Sequence, residues 1–229
     1  MIKITGFRMG HLAKSRLGEA ARRVPVLRSR LVARFTDDLR YLHDVLQGTP
    51  LRDHYWVWGG MLLGWAREGA ILEHDSQDAD FAVLDKDFDR LVDAVPTLVR
   101  AGFACDRRFV NNDGVITELT FARHGSRFDF FRMFPSGDRL RYYAYSISLK
   151  EILELEFTVP IQPVVPFDFI DRTWLKPEDH ELELKETYGE WRVPDPDWSY
   201  LEAGGLVERR ISRHTHFDWR DGELYPRSR

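Results

Sequence analysis

Trp58-Gly-Gly-Met-Leu-Leu-Gly-Trp-Ala-Arg67, followed by Asp78-Ala-Asp-Phe81, is the stretch on which the fold turns. Tyr55 to Trp58 reads as a short aromatic strand, Gly59-Gly60 marks its change into a helix through Arg67, and Asp78 to Leu84 reads as a second strand. Two glycines at a helix N-terminus leave backbone N–H groups open to an anion, with no Cβ in the way, so a phosphate suits this position. Strand side chains alternate, so Asp78 and Asp80 share one face while Ala79 and Phe81 point to the core. Two adjacent carboxylates repel unless a cation bridges them, and hard oxygen ligands with room for phosphate suit Mg²⁺ or Mn²⁺.

Working outward, Asp85 to Arg100 has helical spacing (Phe88, Leu91, Val92, Val95, Leu98, Val99) and ends before Gly102. Val115 to Arg123 and Arg127 to Phe134 form a hairpin across His124-Gly125-Ser126. Its second strand holds Asp129 inside Phe128-Asp-Phe-Phe131, where a lone carboxylate is costly without a partner. Arg141 to Ser148 adds a strand, and beyond Leu153 a proline- and aromatic-rich segment reads as a covering layer with a helix near Asp179 to Tyr188. Toward the N-terminus, Leu17, Ala20, Val24, Leu27, Leu31 and Phe35 recur at helical spacing, Pro25 splits the run, and a helix continues from Pro25 to about Leu46.

The chain of 229 residues, 43% hydrophobic and 31% charged, suits one large folded domain with an appended layer and excludes wholesale disorder. One cysteine, Cys105, rules out an intramolecular disulfide and fits a reducing compartment. The longest charge-free apolar run, Tyr55 to Ala66, falls short of the ~20 residues of a membrane span, so a cytoplasmic protein is expected. Residues 1–35 carry nine Lys or Arg against Glu19, a charge of +8 that leaves −12 on the remainder of a chain whose net charge is −4. A body this acidic argues against a general nucleic-acid binder. The basic N-terminal helices either pack on the core with a solvated face or dock, through residues 12–35, on an anionic surface such as the inner membrane face.

These residues resemble the LicD/fukutin-type branch of the nucleotidyltransferase superfamily. The resemblance rests on Trp58 to Arg67, on His74-Asp75 with Asp78-Ala-Asp80, on Asp129, and on Tyr188-Gly-Glu-Trp191-Arg-Val-Pro194, which is similar to the branch's Tyr-Gly-x-x-Trp-x-x-Pro element. It spans roughly residues 56–198, and it departs at Met61, where threonine is usual, and at Ser76-Gln77, where many members have further aspartates. It implies a polymerase-β-like α/β (α+β) fold: a mixed sheet flanked by helices, with N-terminal helices and an irregular C-terminal covering layer. The divisions expected are basic helices at 1–50, a catalytic domain at 51–200 and a tail at 201–229.

It also implies two divalent metals, Mg²⁺ or Mn²⁺, held by Asp78, Asp80 and Asp129, with Asp129 on the nucleophile side. Gly59 and Gly60 would cradle phosphate, and Arg67, Tyr188 and Trp191 complete the expected substrate-binding set. Asp75 reads either as a further ligand or as a turn residue, Arg67 either as a diphosphate contact or as a surface cation, and Tyr188 and Trp191 equally as packing. His74 reads as locally hydrogen-bonded, and His214 with His216 as part of a tail. The implied reaction moves a phosphocholine- or polyol-phosphate-like group from a CDP-linked donor to a hydroxyl of a glycan or its lipid-linked precursor. The alternatives are transfer of NMP from an NTP to a small molecule or protein, and a non-catalytic nucleotide-binding module; the presence of all three aspartates weighs against the last.

Overall fold

The computed structural model describes residues 25–72, 77–147, 152–213, 217–220 and 223–226. From Pro25 the chain runs as α1 (Pro25–Gln47), β1 (Tyr55–Trp58), α2 (Gly59–Glu68), β2 (Asp78–Leu84), a 3₁₀ turn and α3 (Phe88–Arg100). Then come β3 (Ala104–Val110), β4 (Ile116–Arg123), β5 (Ser126–Ser136), β6 (Arg139–Ile147), β7 (Ile152–Pro160), β8 (Val164–Phe169) and β9 (Arg172–Pro177). The chain ends in α4 (His180–Tyr188), β10 (Leu206–Ile211), β11 (Phe217–Arg220) and β12 (Glu223–Pro226).

Eight strands form a mixed, mostly antiparallel sheet in the order β1-β2-β5-β6-β7-β10, with β4 on β5 and β3 on β4. Among the described strands only β2 and β5 pair in parallel, through a crossover that contains α3, β3 and β4. β5 serves two parts of the sheet: residues 126–131 lie between β2 and β4, and residues 134–136 pair with β6. Among the described residues the strands and helices read from the sequence are present, but two details differ. β3 was not expected, because its Cys105-Asp-Arg-Arg108 run lacks clean alternation. β7 continues the main sheet instead of joining an irregular covering layer, which is confined to β8, β9, α4 and the turns around them. The helix expected before Pro25, with most of residues 12–35, lies outside the described residues, as do His74, Asp75, His214 and His216.

The sheet separates two apolar layers. On one face Ala79, Phe81 and Val83 of β2 and Phe128 and Phe130 of β5 pack with Phe35, Leu39 and Leu42 of α1, Leu91 and Leu98 of α3, and Trp174 of β9. Ring pairs hold this layer, Phe81 stacking on Phe130 at 4.9 Å and Phe35 on Phe128 at 6.0 Å. The other face buries Trp56, Trp58, Ala82, Phe131, Tyr142 and Phe157. The period-two alternation therefore places Asp78, Asp80 and Asp129 on this second face, between the β1–β2–β5 layer and the strands that fold over it.

Candidate metal centre

One cross-strand row builds the centre. Trp58 of β1 stands opposite Asp80, Asp80 beside Asp129, Asp129 opposite Thr120, and Thr120 opposite Arg107. Asp78 lies one pleat away on β2. Asp78, Asp80 and Asp129 each offer a carboxylate oxygen such that the three atoms lie within 4.8 Å of one another. Asp129 is 2% exposed, while Asp78 and Asp80 are half-buried, so the triad faces a partly open space from a dry floor.

Gly59 makes room for this arrangement. Its φ is +57°, and a Cβ there would stand 2.3 Å from Asp80 Oδ2. That oxygen accepts the N–H of Gly60 at 3.2 Å, so Asp80's own carboxylate is anchored to the first turn of α2. The helix N-terminus thus meets an anionic side chain, the carboxylate of the triad member Asp80, where the sequence reading set a phosphate. α2 then ends at Gly69 (φ +63°), whose N–H bonds back to Trp65 O at 3.0 Å.

Behind the triad lie residues that the sequence reading did not single out. Glu118 (5% exposed), Thr120 (1%) and Arg107 (4%) are buried on the same face. The Thr120 hydroxyl stands between the two acids, 3.3 Å from Glu118 Oε1 and within hydrogen-bond reach of the Asp129 carboxylate, and its single proton serves one of them at a time. Burial pushes Asp129 above the usual carboxylate range, against the pull of Thr120, Arg107 and Arg127. Burial, with the charges of Asp129 and Asp80 added, pushes Glu118 well above it. Asp129 Oδ1 is fully buried and has no hydrogen-bond partner. A buried carboxylate oxygen without a donor suits a cation, so these three acids fit a hard divalent ion.

A cavity of about 80 Å³ opens beside the acids, lined by Asp78, Asp80, Gly59, Gly60 and the rings of Trp58, Tyr142, Tyr188, Trp198 and Tyr200. Trp58 packs edge-on to Tyr142 with centroids 4.4 Å apart, and Tyr188 tilts against Trp198 at 4.6 Å. Glu183 of α4 is buried next to Trp58; burial pushes its carboxyl up to about 8, although a hydrogen bond from Trp58 opposes the shift. The expected site residues therefore divide. Gly59, Gly60 and Tyr188 share this cavity with Asp78 and Asp80. Arg67 and Trp191 meet each other instead, the Arg67 guanidinium donating to Trp191 O at 3.4 Å and to Glu68 at 3.2 Å. Arg67 stands at the far end of α2, about 10 Å along the axis from the glycines. Trp191 is 6% exposed and packs with the helical layer. Among the described residues, the cation on the triad's face and nearest in register to Asp78 is Arg127, half-buried and bonded to Asp106 at 3.3 Å.

A larger cleft, about 820 Å³, lies elsewhere, between α1 and the β8–β9 hairpin, where His43, Tyr55, Asp171 and Trp174 line it. It contains none of the triad. The smaller cavity, by contrast, is lined by Asp78 and Asp80, two of the three converging acids. No helix among the described residues is long and apolar enough to cross a membrane.

Residues 52–158 match the family described as LicD/FKTN/FKRP, nucleotidyltransferase domain, a span that contains the glycine pair and all three acids. No curated protein and no solved structure matches the chain significantly. Enzymes of the matched family transfer phosphorus-containing groups, phosphocholine among them, and are commonly metal-dependent. Residues 52–158, which set the triad in a mixed sheet flanked by helices, carry a LicD/FKTN/FKRP-type nucleotidyltransferase domain.

Proposed function

We propose that the protein is a metal-dependent phosphotransferase that moves a phosphocholine- or polyol-phosphate-like group from a CDP-linked donor to a hydroxyl of a glycan or its lipid-linked precursor. The observation that carries this reading is the convergence of Asp78, Asp80 and Asp129 beside the N-terminus of α2, with an aromatic cavity opening on them. Asp78 and Asp80 would hold Mg²⁺ or Mn²⁺ against the donor diphosphate, and Asp129 would complete the set on the acceptor side. When bound, such ions neutralise diphosphate charge and lower the pKa of the attacking hydroxyl.

The acceptor oxygen forms a bond to the phosphorus of the transferred group, and the bond to the CMP oxygen breaks with its electron pair. The hydroxyl proton passes to a carboxylate at Asp129 or to water, leaving a phosphodiester and CMP. Trp58, Tyr142, Tyr188 and Trp198 suit the transferred group because aromatic faces accept both a quaternary ammonium and the C–H faces of a polyol. Arg127, in register with Asp78, would balance donor charge. In the same reading the basic segment 12–35, of which Arg30 and Arg34 are exposed on α1, brings the enzyme to an anionic membrane that carries the acceptor precursor.

A thermal-shift panel tests the reading: CDP-choline, CDP-ribitol and NTPs, each with and without Mg²⁺. A donor at about 100 times its dissociation constant adds ~2.7 kcal/mol, a rise of roughly 5 to 10 °C for a chain of this length, and the rise should need the metal. A shift with NTPs and none with CDP-linked compounds would instead identify an NMP transferase.

A further inference from the structure

The buried charges behind the triad have no part in the reaction described above. Arg107 is the one buried arginine among the described residues, and Glu118 lies two residues along β4 from Thr120, its opposite number. The guanidinium acts on both Glu118 and Asp129, and Arg107 Nε lies 3.6 Å from Asp106 Oδ2, which also pairs with Arg127. Stability alone gives no reason to keep this set. A buried ion pair is often no better than apolar residues of the same volume, and Phe109 and Phe131 already form apolar neighbours in the adjoining row. What the set does reach is Asp129, through the Thr120 hydroxyl that stands between the two acids.

We infer that Arg107 is a positioning residue of the metal centre: buried in register with Thr120 and Asp129 and acting together with Glu118, it fixes the Asp129 carboxylate in the orientation that meets the ion. The inference rests on the metal reading of the triad and adds to it a support that the three acids do not contain. Charge alone makes the opposite prediction for Arg107, since removing a cation from beside a metal site should tighten metal binding. Removing Arg107 and Glu118 together takes away no negative charge beyond the positive charge it removes, so charge alone predicts Mn²⁺ binding no weaker than wild type, and any weakening measures lost positioning.

The test is Mn²⁺ affinity, read from the electron paramagnetic resonance of free Mn²⁺, with the thermal midpoint of each metal-free protein measured alongside. The proteins are the wild type, Arg107→Lys, and the double variant Arg107→Met/Glu118→Met. The double variant should fold with a midpoint close to wild type and bind Mn²⁺ about 10- to 100-fold more weakly, the range seen when a ligand loses its supporting partner. Arg107→Lys keeps the cation and should recover most of the affinity. Wild-type affinity in a folded double variant would overturn the inference, as would a lysine variant as weak as the double variant. A double variant that does not fold would overturn it too, by assigning the pair to stability. Absence of Mn²⁺ binding by the wild type would instead sink the metal reading, and the inference with it.

Discussion

Replacing Glu183 with glutamine should flatten the pH dependence of stability by an amount the structure sets. Glu183 is 4% exposed on α4, accepts a hydrogen bond from Trp58, and leaves Oε1 without a partner. Burial raises its carboxyl from 4.5 to about 8, so the native protein keeps a proton there that the unfolded chain has released at neutral pH. The native state binds more protons than the unfolded state between those values, so stability falls as pH rises through this window. Below pH 4.5 both states are protonated and the effect vanishes. With the folded value at about 8, the loss from pH 5 to pH 7 is about 2 to 3 kcal/mol. Glutamine mimics the protonated acid and cannot ionise. In urea titrations with EDTA at pH 5, 6, 7 and 8, the variant should gain on the wild type by that amount between pH 5 and 7, equivalent to roughly 5 to 10 °C in midpoint. Glu118, Asp129 and Glu154 are also raised by burial, but they are present in both proteins and cancel in the difference. Parallel pH profiles, agreeing to within ~0.5 kcal/mol, would refute the reasoning, because the carboxyl would then titrate alike in both states.

Asp129→Asn should cost at least ~10²-fold in kcat with a CDP-linked donor while leaving metal-free stability unchanged or higher, since burial already disfavours its charge; exposed Asp89→Asn on α3 is the control, and wild-type turnover by folded Asp129→Asn would reject the ligand role. Gly59→Ala should destabilise by at least ~1 kcal/mol from the positive φ alone and weaken Mn²⁺ binding, because its Cβ must push Asp80 Oδ2 aside; unchanged affinity by calorimetry would contradict this. The +8 of residues 1–35 should give flotation with anionic but not neutral vesicles, lost at high salt, with each nearby Lys or Arg worth ~1 kcal/mol; equal recovery with both vesicle types would leave only a packing role.

Much of the site was legible because it is local. Asp78 and Asp80 share a face by strand alternation whatever the strand pairs with, and the glycine pair marks the turn into α2 without reference to the rest of the chain. Asp129 stood out because a carboxylate amid Phe128, Phe130 and Phe131 has no cheap burial. Glu118 carried a similar signal, set between Thr117 and Leu119 on β4, but a hairpin strand with one solvated face accounts for it equally well. Whether that face meets water or the triad depends on β5 lying between β2 and β4, which is a matter of long-range pairing.

Local periodicity, then, determined from sequence alone the strand–turn–helix at Tyr55 to Glu68, the helix of α3, the β4–β5 hairpin and the direction in which the three acids point. The tertiary structure decided which residues join them. Strand register put Arg107 and Thr120 in line with Asp129. The length of α2 carried Arg67 away from the glycines to meet Trp191, and the packing of α4 brought Tyr188 and Glu183 to Trp58. Side-chain direction along an element follows from backbone geometry over a few residues. Which charges become neighbours follows from contacts between segments far apart in the chain, and one residue's shift in register would turn an entire strand's side chains to the other face.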